Sequence, residues 1–110
     1  MRKTMIAISG FMISLQLLAS GSVLINGKEI KSHDHLHTVL AKQLNFPKLY
    51  GKNLDALYDV LSNDYSGQTV IKIKHLNFLK ARLGADYTEA LIQAIMDASE
   101  DNPKIILVLE

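Results

Sequence analysis

Two aspartates, Asp55 and Asp59, stand four residues apart in the segment 54–61, and their carboxylates are well placed to do chemistry together. Residues four apart lie on the same face of an α-helix, so the two carboxylates would be neighbours. Such a pair can serve general acid–base catalysis when its surroundings separate the two pKa values. It can also present negative charge to a cationic partner. The choice between these roles depends on the helix that carries the pair.

The apolar residues of the segment 54–61 predict that helix and place the acids on its polar side. At 100° per residue the apolar positions form one arc with Tyr58 at its border, and Asp55 and Asp59 lie together beyond it. Asn53 is the predicted N-cap, which puts Asp55 in the first turn, where the helix dipole favours an acid. Asp59 has no such explanation, since no Lys or Arg stands at helical spacing within the segment. Two unpaired like charges cost about 0.2–0.5 kcal/mol, which a cationic partner would offset.

The remaining polar side chains favour neither an enzyme nor a metal site. The chain has no cysteine and no P-loop, G-x-G-x-x-G or G-x-S-x-G motif, and an exposed helix face gives the acid pair no reason for divergent pKa values. His33, His35 and His37 alternate at the start of a predicted helix without a third ligand at clear spacing, so we interpret them as solvated. The basic residues Lys72, Lys74, Lys80 and Arg82 form only a loose cluster with a single Phe among them, which gives little support for nucleic-acid binding. The sequence therefore predicts no catalytic residue, no metal and no cofactor.

Alternating strand and helix signals predict an α/β domain that positions the acid pair. Strand signals stand at 23–26, at 69–74 and in the terminal KIILVLE, which is predicted to be a buried strand. Helix signals stand at 32–44 with Ser32 as N-cap, and at 54–61, 75–83 and 86–99. Strands joined through helices generally run parallel. We therefore expect a small three-stranded parallel sheet packed with about four helices over residues 22–110.

Composition fits one small domain. The 110 residues are 48% hydrophobic and 21% charged, which is enough apolar side chain for a packed core. The formal net charge is +1, but from residue 22 onward ten Lys and Arg stand against eleven Asp and Glu, a net charge of −1. The net charge of +1 argues neither for nor against a nucleic-acid partner.

The first 21 residues differ in character from the rest. Arg2 and Lys3 carry the only charges there, an apolar run follows from Met5 to Ala19, and small residues close the segment. This order is typical of a secretory signal peptide, and the run is short and polar for a membrane span. The alternative is a non-native N-terminal extension. On either interpretation residues 1–21 are excluded from the domain.

Four blocks of the sequence, INGKEI, DHLHTVLAKQL, P-x-x-YG-x-NLDALYDVL and IILVLE, resemble in order and spacing the barstar family of intracellular inhibitors of the secreted ribonuclease barnase. The resemblance covers residues 23–109, and the block 47–61 is its most specific part. It implies a three-stranded parallel sheet packed with helices. It also implies a non-enzymatic function, in which the second helix and the preceding loop plug the ribonuclease active site and acidic side chains replace RNA phosphates.

The resemblance also implies the partner-binding residues. Asp59 matches the aspartate that enters the phosphate site, Asp55 matches a second contacting aspartate, and Tyr58 stands where the family often has Trp. The full set comprises loop residues, residues of the second helix and a peripheral acid on the last helix: Tyr50, Gly51, Asn53, Asp55, Tyr58, Asp59 and Asp97.

Three features depart from the family pattern. Leu49 stands where a contacting Tyr is expected, Lys52 replaces an acid, and the domain is near neutral where barstar is clearly acidic. Weaker long-range steering toward a basic ribonuclease follows, because the overall field influences the association rate.

We therefore predict a protein, monomeric when free, that binds a barnase-like ribonuclease or a related toxin nuclease in a 1:1 complex. Neither nucleic-acid binding nor stable membrane insertion of the domain is expected. The family resemblance implies a cytoplasmic protein, whereas a cleaved signal peptide at residues 1–21 would imply a periplasmic or exported one. The alternative function is a barstar-like interaction module with a non-nuclease partner, which the signal-like segment would make an exported protein.

Overall fold

The strands and helices alternate as the sequence predicts. A computed structural model describes residues 21–64 and 68–110. The strands are β1 (Gly21–Asn26), β2 (Thr69–Lys74) and β3 (Ile105–Leu109), and the α-helices are α1 (His33–Leu44), α2 (Leu54–Asp59), α3 (Leu76–Leu83) and α4 (Ala85–Asp101). The predicted α/β architecture is confirmed. The signal-like segment lies outside the described residues, except for Gly21, with which β1 begins.

The sheet is parallel, with β2 at its centre in the order β1-β2-β3. Ile71 of the central strand lies opposite Val23 of β1 and Leu107 of β3. Each connection passes through helices, as parallel strands require. Alternate residues of β1 and β2 are buried in the core, whereas their neighbours are exposed or half-buried, so the core lies on one side of the sheet.

The prediction that KIILVLE forms a buried strand is wrong, because β3 is an edge strand. Ile105 is buried, but Ile106 and Leu109 are 39% and 49% exposed to solvent. A continuous apolar run is typical of parallel strands that are covered on both faces. Here the uncovered face and the sheet edge leave apolar side chains accessible.

Both predicted helix caps are present. The Ser32 hydroxyl accepts a hydrogen bond from the backbone N–H of His35 at 3.0 Å, and Asn53 Oδ1 accepts one from the N–H of Ala56 at 2.7 Å. These bonds satisfy donors that a helix start leaves without an intrahelical partner. Each helix therefore begins where its sequence signal lies.

The second helix differs from its prediction at the C-terminal end. α2 ends at Asp59 and continues as a π-helical turn over Val60–Asp64. Ser62 Oγ donates to the carbonyl of Tyr58 at 2.6 Å, and Asn102 Nδ2 donates to that of Leu61 at 2.9 Å. These side-chain bonds satisfy carbonyls in the irregular part of the helix. The predicted apolar arc is confirmed all the same, with Leu61 fully buried.

Replacing Ser32 with Ala should lower the free energy of unfolding by about 1 kcal/mol, because α1 would lose its N-cap bond. Urea unfolding followed by circular dichroism measures the change. Ser32→Asp keeps a side-chain acceptor and should stay near the parent. Equal stability of the Ala variant and the parent would show that this cap does not stabilise the fold.

Candidate functional site

An open groove runs between α2 and α4, which pack side by side. Its lining combines three carboxylates with small and aromatic side chains: Leu54, Asp55, Tyr58 and Asp59 from α2, and Ala90, Gln93, Ala94 and Asp97 from α4. The four α4 residues recur at helical spacing, so they share one face of that helix. Both predicted α2 acids and the predicted α4 acid therefore border the same groove.

A second depression adjoins the groove on the side of the loop before α2. Its lining comes from that loop and from α2: Pro47, Leu49, Tyr50, Gly51, Ala56, Asp59 and Val60. Asp59 is the residue common to the two depressions. Asp59 therefore lies where the two depressions meet, on the part of the surface that a partner covering both would contact.

Asp55 and Asp59 are both exposed, and no residue of the described ranges neutralises them. Lys52 pairs with Asp34 at 3.8 Å and Lys72 with Glu110 at 3.3 Å, so these two cations are engaged elsewhere. Neither Asp55 nor Asp59 makes an ion pair or a side-chain hydrogen bond within residues 21–64 and 68–110. The arrangement expected from the sequence, two exposed acids one helical turn apart without a counter-charge in these ranges, is thus present in the free protein.

The charge of the domain is strongly segregated. Seven of its eleven acidic residues lie on α2 and α4, and neither helix contains a Lys or Arg. The basic residues are distributed over the other elements, so a net charge near zero understates the negative potential beside the groove. Such clustering focuses the field where a cationic partner would approach.

Tyr58 joins the two helices at the groove. Its hydroxyl donates a hydrogen bond to the carboxylate of Asp101 in the last turn of α4. This hydrogen bond is the main reason why the pKa of Tyr58 is raised, because the carboxylate favours the neutral phenol. The role of Asp101 was not predicted, although its position four residues after Asp97 places both acids on one helix face.

Gly51 and Asn53 shape the loop before α2. A Cβ at Gly51 would lie 3.3 Å from both Ala56 Cβ and Asn53 Nδ2, so the site leaves little room for a side chain. Asn53 also donates from Nδ2 to the carbonyl of Gly51 at 3.3 Å. Between them Lys52 has a φ of 55°, the left-handed conformation. These two predicted site residues thus set the backbone path, while Leu49, 96% exposed, projects from the loop.

A buried histidine lies behind this loop, and it corrects the prediction of solvated histidines. His37 has 0% exposure, and its Nδ1 and Nε2 lie 2.6 and 2.7 Å from the hydroxyls of Tyr50 and Tyr87. Burial is the main reason why the pKa of His37 is lowered. The prediction treated the three histidines alike, and nothing in the local sequence indicates that Tyr87, 50 residues away, contacts this one.

The arrangement presents charge and shape to a partner. Within the described ranges, no group of three or more His, Cys, Asp and Glu residues is arranged to hold a metal ion. The same part of the chain contains no helix long and apolar enough to cross a membrane. The groove combines three carboxylates with the aromatic ring of Tyr58, which suits the recognition of a cationic protein surface.

Comparison with known proteins identifies the family. The model of the family described as "Barstar (barnase inhibitor)" matches residues 21–109 of the chain. The chain belongs to the barstar family. A similar protein of Bacillus subtilis (strain 168), named "Putative ribonuclease inhibitor YrdF", is 33% identical over 88 residues, which cover 77% of this chain and 96% of that protein. The family resemblance seen in the sequence is confirmed, and the family is described as one of barnase inhibitors.

Replacing Asp101 with Asn should lower the pKa of Tyr58 toward its ordinary value, because the phenol would lose a negatively charged acceptor. NMR of 13Cζ-labelled tyrosine over an alkaline titration measures this pKa. Asp97→Asn removes a minor cause of the raised pKa and should shift it less. An unchanged titration in Asp101→Asn would contradict the Tyr58–Asp101 contact.

Proposed function

We propose that this chain inhibits a barnase-type ribonuclease by placing the acidic groove between α2 and α4 over the active site of the enzyme. The observation that carries the proposal is Asp59, an exposed carboxylate that makes no ion pair within residues 21–64 and 68–110. It lies where two depressions meet, and no Lys or Arg lines either of them. A ribonuclease must hold RNA phosphates with cationic side chains. A carboxylate presented to these groups would occupy a phosphate position and exclude the substrate.

The other residues of the groove have separate roles around Asp59. Asp55, one turn earlier, supplies a second negative charge, and Asp97 extends the acidic surface onto α4. The ring of Tyr58, held by Asp101, gives the groove a fixed aromatic wall. In this proposal the complex is 1:1, because one groove of one chain covers one active site.

The energetics favour a partner that neutralises the groove. In the free protein, the neighbouring carboxylates repel one another by a few tenths of a kcal/mol per pair. A cationic active site would convert that repulsion into charge-assisted hydrogen bonds, which are stronger than neutral ones. Barnase and barstar are themselves a well-known example of electrostatic steering and interfacial charge pairs.

Replacing Asp59 with Ala should weaken inhibition by more than about 30-fold, because truncation of a central interfacial charge costs about 2 kcal/mol or more. The measurement is the inhibition constant of the full chain against a panel of barnase-type ribonucleases, with cleavage of a fluorogenic RNA as readout. Glu29→Ala is the matched control, since it removes one negative charge from the turn after β1 and lines neither depression.

Two results would contradict this proposal in different ways. Undiminished inhibition by Asp59→Ala would contradict phosphate mimicry by Asp59. Failure of the parent to inhibit any ribonuclease of the panel would favour the alternative, an interaction module with a non-nuclease partner.

N-terminal sequencing of the protein from its own cell tests whether residues 1–21 are removed, which bears on the compartment in either case.

Lys52→Glu should accelerate association with a basic ribonuclease several-fold at low salt, because it places an acid at the edge of the acidic surface. Stopped-flow association at low and high ionic strength measures the effect, which should shrink with added salt. Lys28→Glu makes the same charge change in the turn after β1, which, unlike the loop of Lys52, contributes no residue to either depression, and it should have a smaller effect. Equal acceleration by both variants would show that net charge, rather than the local surface, sets the rate.

A further inference from the structure

The buried imidazole of His37 connects three separate parts of the fold. It lies on α1, its Nδ1 is 2.6 Å from the hydroxyl of Tyr50 in the loop, and its Nε2 is 2.7 Å from that of Tyr87 on α4. His33, one turn earlier on α1, stacks on the Tyr87 ring with centroids 3.8 Å apart. The loop before α2 is thus tied through one side chain to two helices.

Tyr50 is the anchor of that loop. Every other residue from 47 to 53 is exposed, whereas Tyr50 is half-buried and packs against the Phe46 ring with centroids 4.9 Å apart. Its backbone N–H also donates to the carbonyl of Pro47 at 3.0 Å. The conformation of the loop therefore depends on where the Tyr50 side chain is held.

The anchor lies next to the proposed binding surface. Tyr50 lines the second depression together with Asp59, and Asn53, three residues after Tyr50, caps the helix that carries the acid pair. A displacement of Tyr50 would therefore disturb the Asn53 cap of α2 and the surface beside Asp59 in the second depression. Neither His37 nor Tyr87 lines either depression, so both would act on this surface through Tyr50.

We propose that His37 is a positioning residue for the ribonuclease-binding surface, whose neutral imidazole fixes the 47–53 loop through Tyr50 and whose protonation releases it. The effect on ribonuclease binding rests on the proposed function, whereas the anchoring of the loop is a property of the free protein. A neutral imidazole has one N–H donor and one acceptor nitrogen, so one tyrosine hydroxyl accepts and the other donates. An imidazolium has two donors, and the hydroxyl that had donated would lose its acceptor inside the protein.

The surroundings of His37 favour the neutral form. Burial lowers its pKa, and the nearby charges of His33 and Lys52 act in the same direction, whereas Asp34 opposes them. The two hydroxyls come from the other elements packed against the ring. Since the folded pKa lies below the ordinary value of 6.5, the stabilisation is complete above that pH and is lost as the pH falls through the folded pKa.

Amide hydrogen exchange of the full chain tests the anchoring directly. In the parent, protection of the Tyr50 and Ala56 amides, which close the loop and cap α2, should fall about tenfold between pH 7.5 and 5 after correction for intrinsic exchange. Ile71 in the central strand reports global opening and should fall less. A fall of equal size at all three amides would mean loss of global stability and would overturn the inference.

Two variants separate charge from hydrogen bonding. His37→Gln keeps a donor and an acceptor but does not titrate, so the pH-dependent loss of loop protection should disappear. His37→Leu removes both hydrogen bonds and should show low loop protection at both pH values. Tyr87→Phe, a milder change on α4, should weaken loop protection in the same direction. The exposed His75, replaced by Asn, is the control and should behave as the parent does.

Binding to barnase provides the second readout. The affinity of His37→Leu should be about tenfold lower at pH 7.5, and the parent should lose affinity toward pH 5 more steeply than His37→Gln does. The comparison with His37→Gln cancels titration of the enzyme. If the chain binds tightly and neither loop protection nor affinity changes when His37 is replaced, this inference is overturned and the proposed function remains intact. Loss of loop protection in a chain that binds no ribonuclease would support the anchoring and contradict the proposed function instead.

Discussion

The packing of α2 against α4 determines the character of this surface, because it brings together two helices that carry seven acidic residues and contain no Lys or Arg. Apolar burial makes this arrangement tolerable. Leu57 of α2 and Leu91 and Ile95 of α4 are fully buried, and each contributes about 1.5–3 kcal/mol. Repulsion between exposed carboxylates amounts to a few tenths of a kcal/mol per pair. The core can thus hold the acids in place at a modest energetic cost, and a cationic partner would remove that cost on binding.

Local hydrogen bonds then decide where the acids point. Asn53 fixes the first turn of α2, and the Tyr58–Asp101 contact fixes the groove wall. The loop before α2 has little core of its own, since its residues other than Tyr50 are exposed. Anchoring through His37 therefore gives an otherwise solvated segment a defined conformation. Such preorganisation reduces the conformational entropy that the loop loses on binding.

The sequence predicted well those features that depend on neighbours along the chain. The caps at Ser32 and Asn53, the apolar arc of α2 and the parallel order of the strands all follow from short-range patterns. The edge position of β3 did not, because a short apolar run does not reveal whether one or both faces of a strand are covered. The approach of Tyr87 to His37 is also set by the tertiary fold. The groove face of α4 could be recognised by its helical spacing, but only the packing shows that it meets α2.

Membership of the barstar family and the segregation of charge both support the proposal that the groove occupies the phosphate site of a ribonuclease. Competition tests it directly: calorimetric titration of barnase with the full chain, with and without a saturating non-hydrolysable RNA dinucleotide. We expect mutually exclusive binding, with the apparent Kd rising in proportion to dinucleotide concentration. An unchanged Kd, with a ternary complex of enzyme, chain and dinucleotide, would contradict it.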